Sequence, residues 1–357
     1  MLTFTHRTLG QRVLFGAGRA AENLLSEADR LAARSVMLIA DTPARQRAQD
    51  LAAQLPAAIV YDDVVPHVPI ETADHARRTA AEHDVDLLIS IGGGSATGLA
   101  KAVALTTAIP IVAVPTTYAG SEATNVWGIT EKSRKTTGMD DRVLPAAVIY
   151  DVELTYSMPV PLSVASGLNA LAHCIDSMWA PRTDPIDQAL ATEGIRALSA
   201  GLPAVTADPR DRDGREQTLY GAYLSAVAFS SAGSGMHHKI CHVLGGAYNL
   251  PHAQTHAVIL PYVLAFLAPA APTAAARIAD AFGTSDAVSG LAALRAQLDA
   301  PTALRDYGFT EEAIDEAAHL ILPAIPDSTP RRVTERDLAR LLRAAWAGAP
   351  LTEEAMT

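Results

Sequence analysis

Five histidines, His237, His238, His242, His252 and His256, fall within twenty consecutive residues of a chain that holds eleven in all. Chance scatter does not crowd them in this way. His238 and His242 are spaced i, i+4 and share one face of a helix; Asn169 and His173 repeat that spacing on a second predicted helix that follows Ser166-Gly167. The glycines and proline of Leu244-Gly245-Gly246-Ala247-Tyr248-Asn249-Leu250-Pro251 let the chain fold back, which returns His252 toward His238. Two helices and a loop can therefore aim His173, His238, His252 and Asn169 at one point. Three imidazoles with an open position are one form of catalytic metal site. Without metal, the same imidazoles suit proton donation or anion binding, because each can become cationic near neutral pH. Asn169 argues against the metal: a neutral amide is a poor ligand for a divalent ion, and no Asp or Glu is expected in the constellation. His256 reads as a helix-packing residue, and the pattern assigns His237 to neither role.

A second chemistry is phosphate binding. Gly92-Gly93-Gly94-Ser95 follows a predicted strand and opens a helix, so bare amides and a helix N-terminus can meet a pyrophosphate. Pro115-Thr116-Thr117-Tyr118-Ala119-Gly120-Ser121-Glu122 repeats the arrangement after the next strand and adds hydroxyls. Gly16-Ala17-Gly18-Arg19-Ala20-Ala21 matches the GxGxxA fingerprint, but Val13-Leu14-Phe15 is too short for a first buried strand, which favours a hairpin or turn for Gly16 and Gly18. Asp41, at the end of another strand, has two open roles. It can accept both ribose hydroxyls of a dinucleotide, or cap the helix that begins near Pro43.

Alternating elements position these groups. Ser35–Ala40, Ala58–Tyr61, Leu87–Ile91 and Ile111–Val114 read as strands, and Pro43–Gln54, Ile70–Glu82 and Leu99–Thr107 as helices. Strands this apolar, separated by helices, predict a parallel sheet in an α/β domain, with ligands beyond the carboxyl ends of its strands. From Pro161 onward the periodicity is helical. The break falls at Met158-Pro159-Val160-Pro161, where two prolines stop regular structure. The expected organisation is an α/β dinucleotide-binding domain over residues 1–157 and an all-α domain over residues 158–357, ending in a frayed LTEEAMT tail. At about 150 residues per domain, the 357-residue length agrees with two.

Composition narrows the class. Apolar residues make up 49% and charged ones 19%, which excludes disordered and low-complexity chains. The formal net charge of −11 repels polyanions, so no nucleic acid partner is expected. Cys174 and Cys241 sit in apolar helical segments and read as core fillers, not as a disulfide framework. No secretory signal is legible, and no run reaches the roughly 18 uninterrupted apolar residues of a membrane span. A cytoplasmic address and no membrane partner follow as expectations.

Taken together, these segments resemble the iron-containing alcohol dehydrogenase superfamily, and within it the maleylacetate reductases, over nearly the full length. The matching segments are the Gly92–Ser95 loop with Lys101 two turns on, the Pro115–Glu122 loop, Gly167–His173, His238–Gly246 and Asn249–His252. The resemblance implies the dehydroquinate synthase-like fold, with an N-terminal dinucleotide-binding domain, a helical C-terminal domain and an active site in the cleft between them. Metal-dependent members carry aspartate where this chain has Asn169, and another where it has Gly98. The maleylacetate reductase branch lacks that ligand aspartate and has a Thr-Gly-Leu-Ala-Lys stretch like Thr97–Lys101.

The resemblance therefore implies metal-independent, NADH- or NADPH-dependent reduction of maleylacetate, a small dicarboxylate, to 3-oxoadipate in the degradation of aromatic compounds. Asp41, Gly92, Gly93, Gly94, Ser95, Lys101, Thr116, Thr117, Tyr118 and Ser121 are the expected cofactor residues. Arg45 near Asp41 leaves room for a 2′-phosphate. His173, His238, His242, His252 and Asn169 are the expected catalytic residues, with cationic imidazoles meeting the oxo-carboxylate end, and Lys239, Arg134 and Lys135 are candidate carboxylate partners. A homodimer is expected. The competing readings are a metal-dependent alcohol or polyol dehydrogenase with Asn169 as a carbonyl ligand, a lyase of the dehydroquinate synthase kind, and a non-catalytic nucleotide-binding protein.

Overall fold

A computed structural model describes residues 3–132 and 134–351, with the backbone alone at Arg134 and Lys135. The LTEEAMT tail beyond Leu351 and the side chains of Arg134 and Lys135 lie outside the described residues. The backbone divides into two compact units, Thr8–Met158 and a second one made of Met1–Arg7 with Pro159–Thr357.

The first unit runs β1 (Arg12–Phe15), α1 (Ala20–Arg30), β2 (Val36–Ala40), α2 (Arg45–Ala52), β3 (Ile59–Tyr61), α3 (Ile70–Glu82), β4 (Leu87–Gly92), α4 (Gly94–Thr107), β5 (Ile111–Pro115), β6 (Val126–Glu131), β7 (Arg134–Met139) and β8 (Ala147–Tyr150). Six strands form a parallel sheet in the order β1-β8-β5-β4-β2-β3, and β6 and β7 form an antiparallel hairpin. Strand alternation explains why β2, β4 and β5 are apolar on both faces. Val36, Leu38 and Ala40 join one core with Leu24, Ala28 and Ala48, whereas Met37 and Ile39 join another with Ala76, Leu99 and Val103. Helices thus cover both sides of the sheet.

From β2 the chain adds β3 on one side and then crosses to place β4 on the other. This reversal is where an open α/β sheet leaves a crevice at its strand ends. The β2–β4 register pairs Ala40 with Ile91, which brings Asp41 level with Gly92.

The second unit contains α5 (Val160–Ser177), α6 (Pro185–Ala207), α7 (Arg212–Ala232), α8 (Met236–Tyr248), α9 (His252–Leu267), α10 (Pro272–Phe282), α11 (Ala287–Gln297), α12 (Ile314–Ile321) and α13 (Glu335–Ala347). Among the described residues it has no strand. Pro159 and Pro161 flank the start of α5, a position where a missing amide proton costs nothing. Every α5 residue from Ser163 to Ser177 is buried, which makes this helix the unit's core. The 19-residue stretch His252–Ala270 is long and apolar enough to cross a membrane, but 67% of it is buried, as in a core helix. Ahead of the helices, His6 Nδ1 lies 2.8 Å from the Asp184 carboxylate that caps α6.

Candidate active site

The α/β unit builds a cradle at the sheet reversal. Gly92 ends β4 at φ +145°, where an L side chain is strained, and a Cβ there would stand 2.4 Å from Asp41 Oδ2. That space is left to the Asp41 carboxylate, whose Oδ2 accepts from the Gly93 amide at 3.1 Å while Oδ1 accepts from Ala44 N at 3.2 Å. Asp41 is therefore a cap, as one of its two sequence roles requires, and also a tie to the glycine loop. The α4 N-terminus at Gly94 has no side-chain cap. A Cβ on Gly93 would press against Thr117 Cγ2 at 3.2 Å, and one on Gly94 would meet Ala119 at 3.5 Å, so the two loops abut with little more than backbone between them. Gly93, Gly94, Ser95, Thr116, Thr117 and Ser121 are half-buried around this cradle, and Thr116 N donates to Gly92 O at 3.0 Å. Uncapped helix amides beside hydroxyls fit the pyrophosphate of a dinucleotide.

Two expected cofactor residues stand elsewhere. Lys101 is fully buried, and its Nζ donates to Ser121 O at 2.6 Å, Thr124 O at 2.8 Å, Thr124 Oγ1 at 3.1 Å and Val126 O at 2.8 Å. With its donors spent on the segment after Gly120, it clamps the second loop from beneath. Burial pushes its pKa down to about 7, against the pull of Glu122. Tyr118 is likewise fully buried and offers the cradle no exposed surface.

Sequence reasoning missed Glu122, a buried carboxylate that accepts from Tyr150 Oη at 2.8 Å and is pushed up by burial. The one available signal was a carboxylate and a lysine set among apolar neighbours. The GxGxxA string does form a strand, a turn and a helix, but on the edge strand β1. There Asp151 accepts from Gly18 N at 2.8 Å and Ala20 N at 3.0 Å. A carboxylate of the protein already fills the anion site at the start of α1.

The helical unit gathers the histidines. Asn169 and His173 lie on α5 and are 2% and 8% exposed; His238 and His242 lie on α8, and His252 is the first residue of α9. The rings of His173 and His238 stack at 4.8 Å with 14° between planes, and Phe229 of α7 packs 4.2 Å from His238 and 4.7 Å from His173. His256 stands at the centre, 4.8 Å from His238 and 4.4 Å from His252, and its Nδ1 lies 2.9 Å from His237 Nε2. His242 is farther out, 6.0 Å from His238. The residue read as helix packing is thus the link between His252 and the stacked pair. Lys239 lies half-buried on α8 next to His238.

Two expectations need correction. A carboxyl group does stand in the constellation: Asp176, fully buried on α5, lies 2.8 Å from His238 Nδ1 and accepts from the Gly235 amide at 2.9 Å. Burial also works against a cationic form at four of the imidazoles. Burial, with repulsion from neighbouring imidazoles, lowers His173 and His237 to about 3 and holds His238 and His256 well below the usual range. Burial alone pushes Asp176 the other way, up to about 7, against the amides that hydrogen-bond it. Asn169 Oδ1, His173 Nδ1 and His238 Nε2 are buried without a hydrogen-bond partner. Buried polar atoms without a protein partner on two helices of one unit suit a ligand site.

The donor set does not fit a resident iron. Asn169 brings no charge, and stacked rings present parallel edges instead of converging lone pairs. Among the described residues, the trios whose ligand atoms approach within 4.8 Å are His237-Cys241-His256 and His6-Asp184-Asp187, and His173, His238 and His252 form none.

Two family models match this chain. Residues 10–152 match the family model for iron-containing alcohol dehydrogenase, and residues 163–346 match the C-terminal model of the Fe-containing alcohol dehydrogenase family. A maleylacetate reductase from Pseudomonas sp. (strain P51) is 42% identical over 98% of this chain and 99% of its own. The structure of an iron-containing alcohol dehydrogenase from Corynebacterium glutamicum superposes with a TM-score of 0.96 at 56% identity, covering 98% of this chain and 99% of that one. The maleylacetate reductase from Rhizobium sp. strain MTP-10005 superposes at 0.91 with 40% identity, over 98% and 99%. With the parallel six-stranded sheet, the helical unit and matches that span both, the chain belongs to the iron-containing alcohol dehydrogenase family.

Proposed function

We propose that this chain is an NAD(P)H-dependent oxidoreductase that reduces the carbon–carbon double bond of maleylacetate to give 3-oxoadipate, without a metal, in the degradation of aromatic compounds. The observation that carries the reading is Asn169: a buried neutral amide occupies the ligand position on α5 in a chain that aligns end to end with maleylacetate reductases.

The cradle of Gly92–Ser95, Thr116, Thr117 and Ser121 would hold the pyrophosphate, and Asp41 the adenosine ribose. Arg45 pairs with Asp62, which leaves Asp41 as the group that selects at the ribose and favours NADH. The bound cofactor supplies the hydride. The substrate's own conjugation removes the need for a Lewis acid: hydride at C2 sends charge through C3 onto the ketone oxygen as an enolate. Preorganised donors can meet that oxyanion in a dry site. The buried ring nitrogens of His173 and His238 supply such donors where they carry a proton, and Phe229 helps to exclude water from the site. His242 and His252 complete the imidazole set around the substrate, and Lys239, half-buried next to His238 in sequence, is a candidate carboxylate partner.

The free, buried thiols of Cys174 and Cys241 suit a reducing cytoplasm. A homodimer suits β1, an edge strand that pairs on one side and exposes Val13 and Phe15. The test is product identification. One NADH consumed per maleylacetate with 3-oxoadipate formed supports the reading, and an alcohol oxidised with NAD while maleylacetate is untouched overturns it.

A further inference from the structure

Asp176 and His238 are joined in a way that substrate binding alone does not explain. Asp176 Oδ2 lies 2.8 Å from His238 Nδ1 and accepts from the amides of Gly235 at 2.9 Å and His238 at 3.4 Å, while Oδ1 accepts from His237 N at 3.4 Å. One carboxylate on α5 thus caps the N-terminus of α8 and orients the His238 imidazole on that helix. Gly235 leaves the room for it, because a Cβ there would stand 2.4 Å from Asp176 Oδ1. With Nδ1 turned to Asp176, His238 directs its Nε2 away, and that atom is buried with no partner. Stacking against His173 and contact with Phe229 fix the ring plane.

We propose that Asp176 is the positioning residue that makes His238 the proton-holding imidazole of the site. The physical reason is charge. A carboxylate sealed from water beside a neutral imidazole leaves one uncompensated negative charge, and one more proton on the pair removes it. The pair that carries this proton presents Nε2–H to the substrate. This inference rests on the maleylacetate reading for its chemistry. Hydride arrives at C2, the C2–C3 π pair moves to form C3=C4, and the C4=O π pair moves onto oxygen. When the enolate collapses, a C–H bond forms at C3 with the proton from Nε2. The pair, one proton short, recovers it from water.

The test combines kinetics with spectroscopy on the intact enzyme. Asp176→Asn keeps an oxygen for the amides and removes the charge, so it should lower kcat about 100-fold or more and leave the KM for NADH unchanged. Asp176→Glu should recover part of that loss. Adding Asp176→Asn to His238→Ala should cost nothing further, since the pair acts as a unit. In the wild-type protein with 15N-labelled histidine, His238 should show a protonated Nδ1, a measurement that stands even if a variant fails to fold. A folded Asp176→Asn enzyme with wild-type kcat, multiplying losses in the double variant, or a bare Nδ1 would overturn the proposal. Absence of maleylacetate reduction in the wild type would instead overturn the substrate reading, with the Nδ1 result still deciding the role of Asp176.

Discussion

The Asp41 carboxylate accepts a 3.1 Å hydrogen bond from the Gly93 amide, tying the end of β2 to the end of β4 where the sheet order reverses. One side chain thereby shapes the cradle and stands at its rim. The contact depends on Gly92, because any Cβ there displaces the carboxylate.

Gly92→Ala should therefore abolish tight cofactor binding while the unit stays folded. A methyl group 2.4 Å from Asp41 Oδ2, at φ +145°, forces either the loop or the carboxylate to move. A strain of about 1–3 kcal/mol corresponds to NADH binding weakened roughly 5- to 150-fold. Fluorescence titration with NADH measures it, and an unchanged Kd would separate the cradle from the cofactor.

Lys101→Met distinguishes a clamp from a phosphate ligand. The substitution removes one donor from Ser121 O, Thr124 O, Val126 O and Thr124 Oγ1, and should lower unfolding free energy by about 1–3 kcal/mol in urea titrations. A phosphate ligand would behave otherwise, with NADH affinity falling at undiminished stability.

Asn169→Asp restores a carboxylate beside His173. The variant should retain Zn²⁺ or Fe²⁺ through purification and turn over maleylacetate more slowly than the parent. Elemental analysis and initial rates report both, and a metal-free variant with parental rates would show that residue 169 does not control metal binding.

Stability should depend on pH through the buried imidazoles. His237 is lowered to about 3 by burial, so between about 6.5 and 3 the unfolded chain holds a proton there that the folded chain does not. The folded state is favoured above 6.5 and loses that advantage as pH falls through the window; Asp176, raised to about 7, acts with the opposite sign. His237→Gln should make the slope of unfolding free energy against pH shallower by about 1.4 kcal/mol per unit within the window. Parallel slopes for the two proteins would show that His237 titrates alike in both states.

The parallel sheet and the helical unit were legible because β2, β4 and β5 are almost wholly apolar runs, Ser90 in β4 aside, and the later helices keep their period. The short edge strand β1 was not, since its half-exposed residues, Arg12 to Phe15, carry no strong pattern. At the site, spacing showed which histidines could share a face but could not rank them. His256 looks like packing along α9 and becomes the centre only when α8 lies beside it. Asp176, three residues past His173, went unread because its partner lies 62 residues away. Charge state was equally hidden, for it depends on burial that no local pattern reports.

The central claim is reduction without metal, and its most direct test is the rate of NADH oxidation with maleylacetate before and after exhaustive chelation, with metal content measured on the same sample. The account predicts equal rates with no stoichiometric metal. Activity that vanishes on chelation and returns with added iron would contradict it.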